Sequence, residues 1–589
     1  MRYDIIVDVY EKVEATTKRL EMTDLLVNLL KETPREVIDK VVYLTQGKLY
    51  PDYIGVELGV AEKLALKAIA TVTGQPEEQV ENHYKKTGDL GETAEKLLAR
   101  KTQLALFQKP LTVEAVYDAF DKIAHASGPG SIDVKIKLLC SLLNDATPKE
   151  AKYILRMALG KLRLGVADMT ILDSLAIAYA GGKEAREDLE RAYNLSSDLG
   201  YVARTVAHEG IQGIRRFKVT VGKPIRPMLA ERLSSAAEIL EKLGGRGSVE
   251  YKYDGLRLQA HISTNQITLF SRRLENVTSQ FPDAAQLIRG SVKVKDAIIE
   301  GECVALDPDT GDMQPFQMIS QRRGRKYEIE KMAEEIPVGV FLFDLLYVKG
   351  KDYTLRPYLE RRKELSKIAT ESERVKIAQQ LITDKPDELD RYMDQAVSEG
   401  CEGLMVKSVG PDSVYKAGAR GWTWIKYKRE YKSEMTDTVD LVVVGAFYGR
   451  GRRAGTYGAL LLAAYDEDRD VFRTVCKCGS GFTDKDLAEL PKMLKPYEIK
   501  HKHARIDSKL NADVWFSPSL VLEVIGAEIT LSPIHTTCLN AIRQGSGLAI
   551  RFPRFTGNYR SDKAPEDGTT TKEIMEMYES QLKKISKET

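Results

Sequence analysis

The sequence has no excess of charge. Across 589 residues, 88 Lys and Arg stand against 86 Asp and Glu, a formal net charge of +2. That near-balance excludes a polycation of the histone or protamine kind, so nucleic-acid binding would have to come from local basic patches. Cysteine is scarce, with six residues scattered at 140, 303, 401, 476, 478 and 538. This excludes a disulfide framework and favours a reducing compartment. Cys476 and Cys478 form a Cys-x-Cys pair with no second pair nearby, so buried strand thiols are expected rather than a structural zinc. No apolar run approaches the ~20 residues of a membrane helix; the longest, at 441–447 and 459–465, are strand-length. The N-terminus alternates charged and apolar residues without a signal-peptide profile, so a cytoplasmic chain with no membrane association is expected. The phosphate-binding pattern G-x-x-x-x-G-K-[ST] is missing, and the Gly-rich stretch 445–458 offers no Lys-Ser/Thr, which disfavours a P-loop ATPase. Asparagine is also rare, nine residues beside 30% charged ones, a weak lean toward a hot-growing source.

What is present is an ordinary globular balance, 43% hydrophobic, long enough for three or four domains. Apolar residues recur at helical spacing through residues 1–222, as in 24–30 and 136–143. Thr147-Pro148-Lys149-Glu150 carries a cap-then-Pro helix start, and Ser127–Ser131 reads as an interhelix loop. The segment 222–227, rich in Gly and Pro, ends this region. From 223 to 430 the texture is α+β. Strands are expected at 248–253, 257–262, 266–271, 297–305, 339–347 and 403–407, with helices at 234–243 and 387–398. From 431 to 589, strands at 439–447, 458–465, 471–479 and 520–529 with Gly-rich turns suit a small β-barrel, closed by a helix at 572–587.

The chemistry concentrates around Glu250-Tyr251-Lys252-Tyr253-Asp254-Gly255-Leu256-Arg257. Lys252 closes an expected strand before a turn, where burial and neighbouring cations make an amine nucleophilic. Alone, K-x-D-G reads equally as a surface hairpin turn, and it occurs by chance in roughly one chain in seven of this length. Downstream, in order, stand Ser271-Arg272-Arg273, Glu300-Gly301-Glu302, Phe343-Asp344, Glu402–Lys407 and Trp424-Ile425-Lys426-Tyr427-Lys428. This ordered set resembles the nucleotidyltransferase motifs of the DNA ligase and mRNA-capping superfamily. With Gly449–Gly455, Arg551–Phe555 and the N-terminal Gly160–Gly165, it is similar to ATP-dependent DNA ligases of the archaeal and eukaryotic replicative type over nearly the whole chain.

The resemblance implies a multidomain architecture: an all-α DNA-binding domain at 1–222, an α+β nucleotidyltransferase (adenylation) domain at 223–430 and an OB-fold β-barrel at 431–589. It implies sealing of nicks in duplex DNA through a lysyl-AMP on Lys252, with ATP and Mg²⁺ (Mn²⁺ as substitute). Glu250 would lie at the base edge, Phe343 would stack on adenine, and Arg257 and Arg420 would meet the nucleotide. Arg272 would serve the nucleotide or the nick phosphate, and Glu302 the ribose or the metal. Glu402 would hold metal. Lys426 and Lys428, two apart on an expected strand and so on one face, would reach the α-phosphate, though a solvated basic strand is the competing reading. Arg560 and Lys563, in Arg551–Lys563, would orient pyrophosphate once the barrel closes over ATP.

Lys161 and Arg163, in a Gly-bounded loop, would contact DNA backbone and minor groove, since a nick has no sequence to read. Gln103–Phe107 resembles a shortened sliding-clamp docking segment, with an amphipathic helix edge as the competing reading. A monomer is expected. An RNA ligase or GTP-using capping enzyme would lack the long helical region. A non-catalytic nick-binding scaffold would have lost Lys252 or a metal-site carboxylate. An NAD-dependent ligase would carry a four-cysteine module.

Overall fold

The computed structural model describes residues 1–100, 109–306, 311, 313–314, 316–325, 327–428, 437–449, 455–526, 528–532, 534–542, 544–551 and 553–587. The expected clamp-docking segment Gln103–Phe107 and most of Gly449–Gly455 lie outside these residues. The chain forms two compact units, residues 1–80 with 90–428, and residues 81–89 with 429–589. Among the described residues, no helix is long and apolar enough to cross a membrane.

The N-terminal part of the first unit is all helical, from Tyr3–Glu14 to Leu199–Arg215. Local chemistry sets its boundaries. Helix Pro148–Ala158 starts with Pro at its first turn. Its capping box pairs Glu150 N with Thr147 Oγ1 (3.3 Å) and Thr147 N with a Glu150 carboxylate oxygen (2.8 Å), satisfying donors that the helix start would otherwise orphan. From Glu150 to Ala158 this helix is buried. Its Lys152 and Arg156 pair with Glu11 and Glu14 of the first helix at 2.7 and 2.8 Å.

Eleven strands follow among the described residues: β1 (Leu229–Arg232), β2 (Gly247–Lys252), β3 (Leu256–Ile262), β4 (Ile267–Ser271), β5 (Ala297–Ala305), β6 (Val338–Val348), β7 (Lys351–Asp352), β8 (Val375–Ile377), β9 (Gln380–Thr383), β10 (Gly403–Ser408) and β11 (Arg420–Lys428). They make two sheets. One has the order β1-β11-β10-β2-β9; the other runs β4-β3-β5-β6-β7, with β8 beside β6. Period-two alternation divides each strand. Val249, Tyr251, Leu404, Val406, Ile425 and Tyr427 share a core with helices Ala236–Lys242 and Pro386–Ser398. Leu258, Ala260, Ile299, Cys303 and Leu342 form the core of the second sheet. The opposite faces carry Glu250, Lys252, Arg257, Gln259, His261, Glu300 and Glu302, which is where the titratable groups collect.

The segment joining the helices to the sheets is held by β3. Gln259 grips Ile225 from both sides, its Oε1 accepting from Ile225 N (2.8 Å) and its Nε2 donating to Ile225 O (3.0 Å). His261 is buried; its Nδ1 accepts from Gly222 N (2.9 Å) and its Nε2 donates to Gln259 Oε1 (2.9 Å). Burial pulls the His261 imidazole down from its ordinary 6.5 to about 3. The folded state therefore holds a neutral ring that the unfolded chain protonates below about pH 6.5. The stabilisation is complete above that pH and falls as pH drops toward 3, by up to about 1.4 kcal/mol per pH unit. His261→Gln should flatten this slope in melting temperatures measured between pH 7 and 4.

The second unit is β-rich. Strand Val439–Tyr448 pairs with Tyr457–Asp466, which pairs with Val471–Cys478. On its other edge Val439–Tyr448 pairs with Val521–Ile525, which pairs with Arg554–Tyr559. A bridge between Ser480 and Arg554, with Phe555 N donating to Ser480 O (2.9 Å), closes the circuit into a barrel. This is the OB-fold arrangement, a small, partly open barrel. Leu460, Leu462, Phe516, Leu522, Phe555 and Ile574 fill its core. Cys476 and Cys478 are buried free thiols on its third strand. The run 520–529, expected as one strand, is two: Val521–Ile525 stays in the barrel and Glu528–Ser532 pairs with Gly547–Arg551.

Candidate active site

Three strands build one wall of a cleft. Antiparallel register places Lys252 opposite Gly403 and Gly403 opposite Lys428; the adjacent row is Glu250, Met405 and Lys426. Lys252 and Lys428 thus flank a position that carries no side chain. Gly403 has φ +146°, and a Cβ there would lie 2.4 Å from Tyr427 O and 2.9 Å from Lys428 Cα. Backbone conformation and space both demand glycine. If Lys252 takes AMP as the resemblance implies, Gly403→Ala should displace Lys428 and slow adduct formation by about tenfold or more, measured as its initial rate.

Glu402 spans the two lysines. Its backbone N donates to Lys252 O at 2.9 Å, and its Oε2 accepts from Lys252 Nζ at 2.5 Å and Lys428 Nζ at 2.8 Å. Burial pushes the Glu402 carboxyl up, but the two ammonium groups outweigh it and hold it at about 2. Lys426 is pulled down by burial and by the charges of Lys428, Lys252, Arg420 and Arg272. Those four cations therefore lie near enough to Lys426 to disfavour its charge.

The second sheet supplies the facing wall. The Asp254-Gly255 turn is not a hairpin within one sheet: it carries the chain from β2 in the first sheet to β3 in the second. Gly255 lies against β5, where a Cβ would sit 2.4 Å from Cys303 O and 3.0 Å from Glu302 Cγ. The close approach sets Asp254 and Glu302 beside the lysine pair. Burial raises Asp254 to about 6, with Glu402 adding to the rise and Lys252 opposing it. Burial raises Glu302 to about 7, against the pull of Lys252 and Arg257. Arg257 donates to Met228 O (2.8 Å) and Glu300 Oε2 (2.8 Å) and lies 5.5 Å from the centre of the Phe343 ring. Its Nε is buried without a partner among the described residues, a donor that an incoming oxygen would satisfy. Phe343 sits at a register shift of β6, where Glu300 faces Asp344 and Gly301 faces Leu342. Such a bulge turns a side chain out of the ladder.

Glu250 is 2% exposed and fully engaged. Its carboxylate takes the Tyr358 hydroxyl, Arg362 at 2.9 Å and Lys407 at 2.5 Å. Lys407 is itself enclosed by Phe343, Tyr358 and Trp424 at 5.0, 4.6 and 4.5 Å from the ring centres. The motifs left Asp254, Glu300, Arg362, Tyr358 and Lys407 out of the site. Asp254, Glu300 and Lys407 stood inside quoted motifs, and Glu300 shares the face of Glu302 two residues on. Tyr358 and Arg362 come from helix Tyr358–Ile368, without a local signal.

Lys161 and Arg163 lie exposed between helices Pro148–Ala158 and Asp168–Tyr179, while Leu162 and Leu164 point inward. Arg163 has φ +59°, and Lys161 pairs with Glu62 at 3.3 Å. A groove of about 1000 Å³ runs from Gly160 past Lys48 and Glu57 to Arg272 and Arg273. In the second unit, Arg560 and Lys563 both pair with Asp440.

Comparison with known proteins decides among the enzymes that share such a cleft. A family described as ATP dependent DNA ligase domain matches residues 227–428; its N-terminal and C-terminal companions match 2–176 and 453–563. A protein named DNA ligase 2 from Thermofilum pendens is 57% identical over 99% of this chain and 98% of its own. The chain belongs to the ATP-dependent DNA ligases. A DNA ligase of Staphylothermus marinus is 54% identical over 100% of both chains. The solved structures titled Pmar-Lig_Pre and Pmar-Lig_PreS3 share 17% identity with this ligase, with TM-scores of 0.55 and 0.53, and cover 94% of it and 99% of their own chains. At that identity the likeness shows the fold. A ligase of this family uses ATP and a divalent metal and acts on nicked DNA. Among the described residues no group of three or more His, Cys, Asp or Glu side chains is placed to hold a metal by itself; Asp254, Glu302 and Glu402 lie near enough to disturb one another's protonation, and an ion held by one or two carboxylates plus substrate phosphates requires no more.

Proposed function

We propose that Lys252 is the nucleophile that takes AMP from ATP, and that the cleft then delivers AMP to the 5′-phosphate of a DNA nick. The observation that carries this reading is the row Lys252–Gly403–Lys428 bridged by Glu402. It presents one amine for attack and a second cation beside it for the phosphate under attack. The Lys252 nitrogen forms a bond to the α-phosphorus while the bond to pyrophosphate breaks and the nitrogen sheds a proton. AMP then passes to the 5′-phosphate, freeing the lysine. Finally the 3′-hydroxyl displaces AMP and closes the strand. Splitting one condensation into displacements with good leaving groups is the advantage of the covalent route.

These displacements move charge among phosphates, so fixed cations do most of the work. Lys426 and Lys428 serve the α-phosphate, Arg257 offers its unpaired Nε to a nucleotide oxygen, and Arg420 and Arg272 line the approach. Arg272 also borders the groove that reaches Gly160, which suits a residue passing from nucleotide to nick phosphate. Phe343 supplies the stacking surface for adenine, and Glu250, anchored by Tyr358, Arg362 and Lys407, lies at the base edge. Glu302 and Glu402 would hold Mg²⁺ (or Mn²⁺), which when bound supplies charge neutralisation at the phosphates. Lys161 and Arg163 bind DNA backbone. Arg560 and Lys563 meet the pyrophosphate.

The test is sealing of a 5′-phosphorylated nick in duplex DNA with ATP and Mg²⁺. A joined strand supports the reading. Joining only of nicked RNA, or only with GTP or NAD, would overturn the substrate or nucleotide assigned here.

A further inference from the structure

Asp440 lies near the start of barrel strand Val439–Tyr448 and is 8% exposed. Its backbone is pinned on both sides by one residue: Asp440 N donates to Thr569 Oγ1 (2.8 Å), and Asp440 O accepts from Thr569 N (2.7 Å). The carboxylate cannot follow a moving partner; partners must come to it. Two do. Arg560 and Lys563 donate to the same oxygen, Oδ2, each at 2.7 Å. Their charged nitrogens are therefore drawn side by side, although like charges would otherwise spread them apart.

The other carboxylate oxygen, Oδ1, is buried and has no hydrogen-bond partner among the described residues. Leaving a buried acceptor unmade is costly, and a purely structural ion pair would be expected to use both oxygens. The asymmetry says that the geometry serves the cations rather than the carboxylate. Each cation also keeps spare donors. A guanidinium has five N–H groups and an ammonium three. Arg560 spends its Nε and one NH2 proton on Asp562 (3.0 and 2.8 Å) and one NH1 proton on Asp440. Lys563 spends one on Asp440. Donors remain on both, and Arg560 and Lys563 keep 22% and 31% side-chain exposure.

We propose that Asp440 is a positioning residue that gathers Arg560 and Lys563 into a single two-cation grip for the pyrophosphate end of ATP. The inference rests on the reading that those two residues meet pyrophosphate. A planar fork beside an ammonium, fixed on a rigid strand, matches adjacent phosphates carrying several anionic oxygens. Asp440 itself touches no substrate. Its effect is confined to the step that releases or recaptures pyrophosphate, and sealing of an adenylylated nick does not involve it.

The experiment uses the full chain with Asp440→Asn, Asp440→Glu and Arg560→Ala. Three reactions are followed with Mg²⁺: formation of the AMP adduct across ATP concentrations, discharge of preformed adduct by pyrophosphate, and sealing of a nick that already carries a 5′-adenylate. Asp440→Asn should slow the first two by about tenfold or more, chiefly through a weaker dependence on ATP or pyrophosphate concentration. It should leave the third within about twofold. Asp440→Glu, which keeps the charge, should recover part of the loss. If Asp440→Asn leaves the first two within twofold while Arg560→Ala lowers them, the positioning role falls and the pyrophosphate reading stands. If Arg560→Ala changes neither, both fall. If all three reactions decline together in Asp440→Asn, the residue is structural and the proposal is overturned.

Discussion

Lys252→Ala should abolish the AMP adduct, lowering its rate of formation by about 10⁴-fold or more, the scale expected when a covalent nucleophile is removed. The structure makes this a clean experiment. Lys252 is half-buried at the end of β2 and belongs to none of the hydrophobic cores, which take Tyr251 and Tyr253 instead. Its removal leaves Glu402 still paired with Lys428 at 2.8 Å, so no carboxylate is stranded in the cleft. Folding should be preserved, and the melting temperature should stay within a few degrees of wild type. Intact mass after incubation with ATP and Mg²⁺ reads the result directly. One acid-labile AMP on wild type and none on the variant is expected. An adduct of equal yield on Lys252→Ala would move the nucleophile elsewhere and dissolve the mechanism proposed above.

Much of this was legible in the sequence because strands display their faces. The boundaries expected for β5 match those found, and Lys426 and Lys428 do share a face of β11. The cap at Thr147 and the break at 222–227 also lie where turn and cap chemistry placed them. What could not be read was which strands become neighbours. Lys252 meets Glu402 through a register across 150 residues of chain, and no local pattern encodes that distance. The Asp254-Gly255 turn reads as a hairpin because hairpins are the common use of such a dipeptide. Its actual use, crossing from one sheet to another, depends on the backbone of Cys303 arriving beneath Gly255. The run 520–529 failed for a related reason. Its apolar residues suit a strand throughout, but the chain leaves the barrel after Ile525 to pair with Gly547–Arg551. The ordered motifs supplied the candidate residues of the site. Asp440, Arg362 and Tyr358 escaped because each acts on a motif residue from a segment whose own sequence is unexceptional.

Asp344→Asn should be strongly destabilising, costing about 3–5 kcal/mol, the range for breaking a buried ion pair from one side. Asp344 and Arg361 are both 0% exposed. The guanidinium meets the carboxylate with two bonds, Nε at 2.7 Å and NH2 at 2.9 Å, and its NH1 donates to the carbonyls of Arg356 and Ser413 at 2.8 and 2.9 Å. Asparagine keeps the shape and deletes the charge, stranding Arg361 in a place without water. The double variant Asp344→Leu with Arg361→Met should lose much less, because apolar packing replaces both charges together. That contrast separates the ion pair from ordinary loss of volume. A second consequence concerns catalysis. Asp344 follows Phe343 at the register shift of β6, and Leu345 N donates to Asp344 Oδ1 at 2.9 Å. The pair therefore fixes the backbone that carries the aromatic surface assigned to adenine. Below the melting temperature, Asp344→Asn should raise the ATP concentration needed for adduct formation more than it lowers the maximal rate. Thermal unfolding and adduct kinetics on the same preparations measure both effects. A loss of less than about 1 kcal/mol would show that water reaches Arg361 and that the interior around Phe343 is not dry.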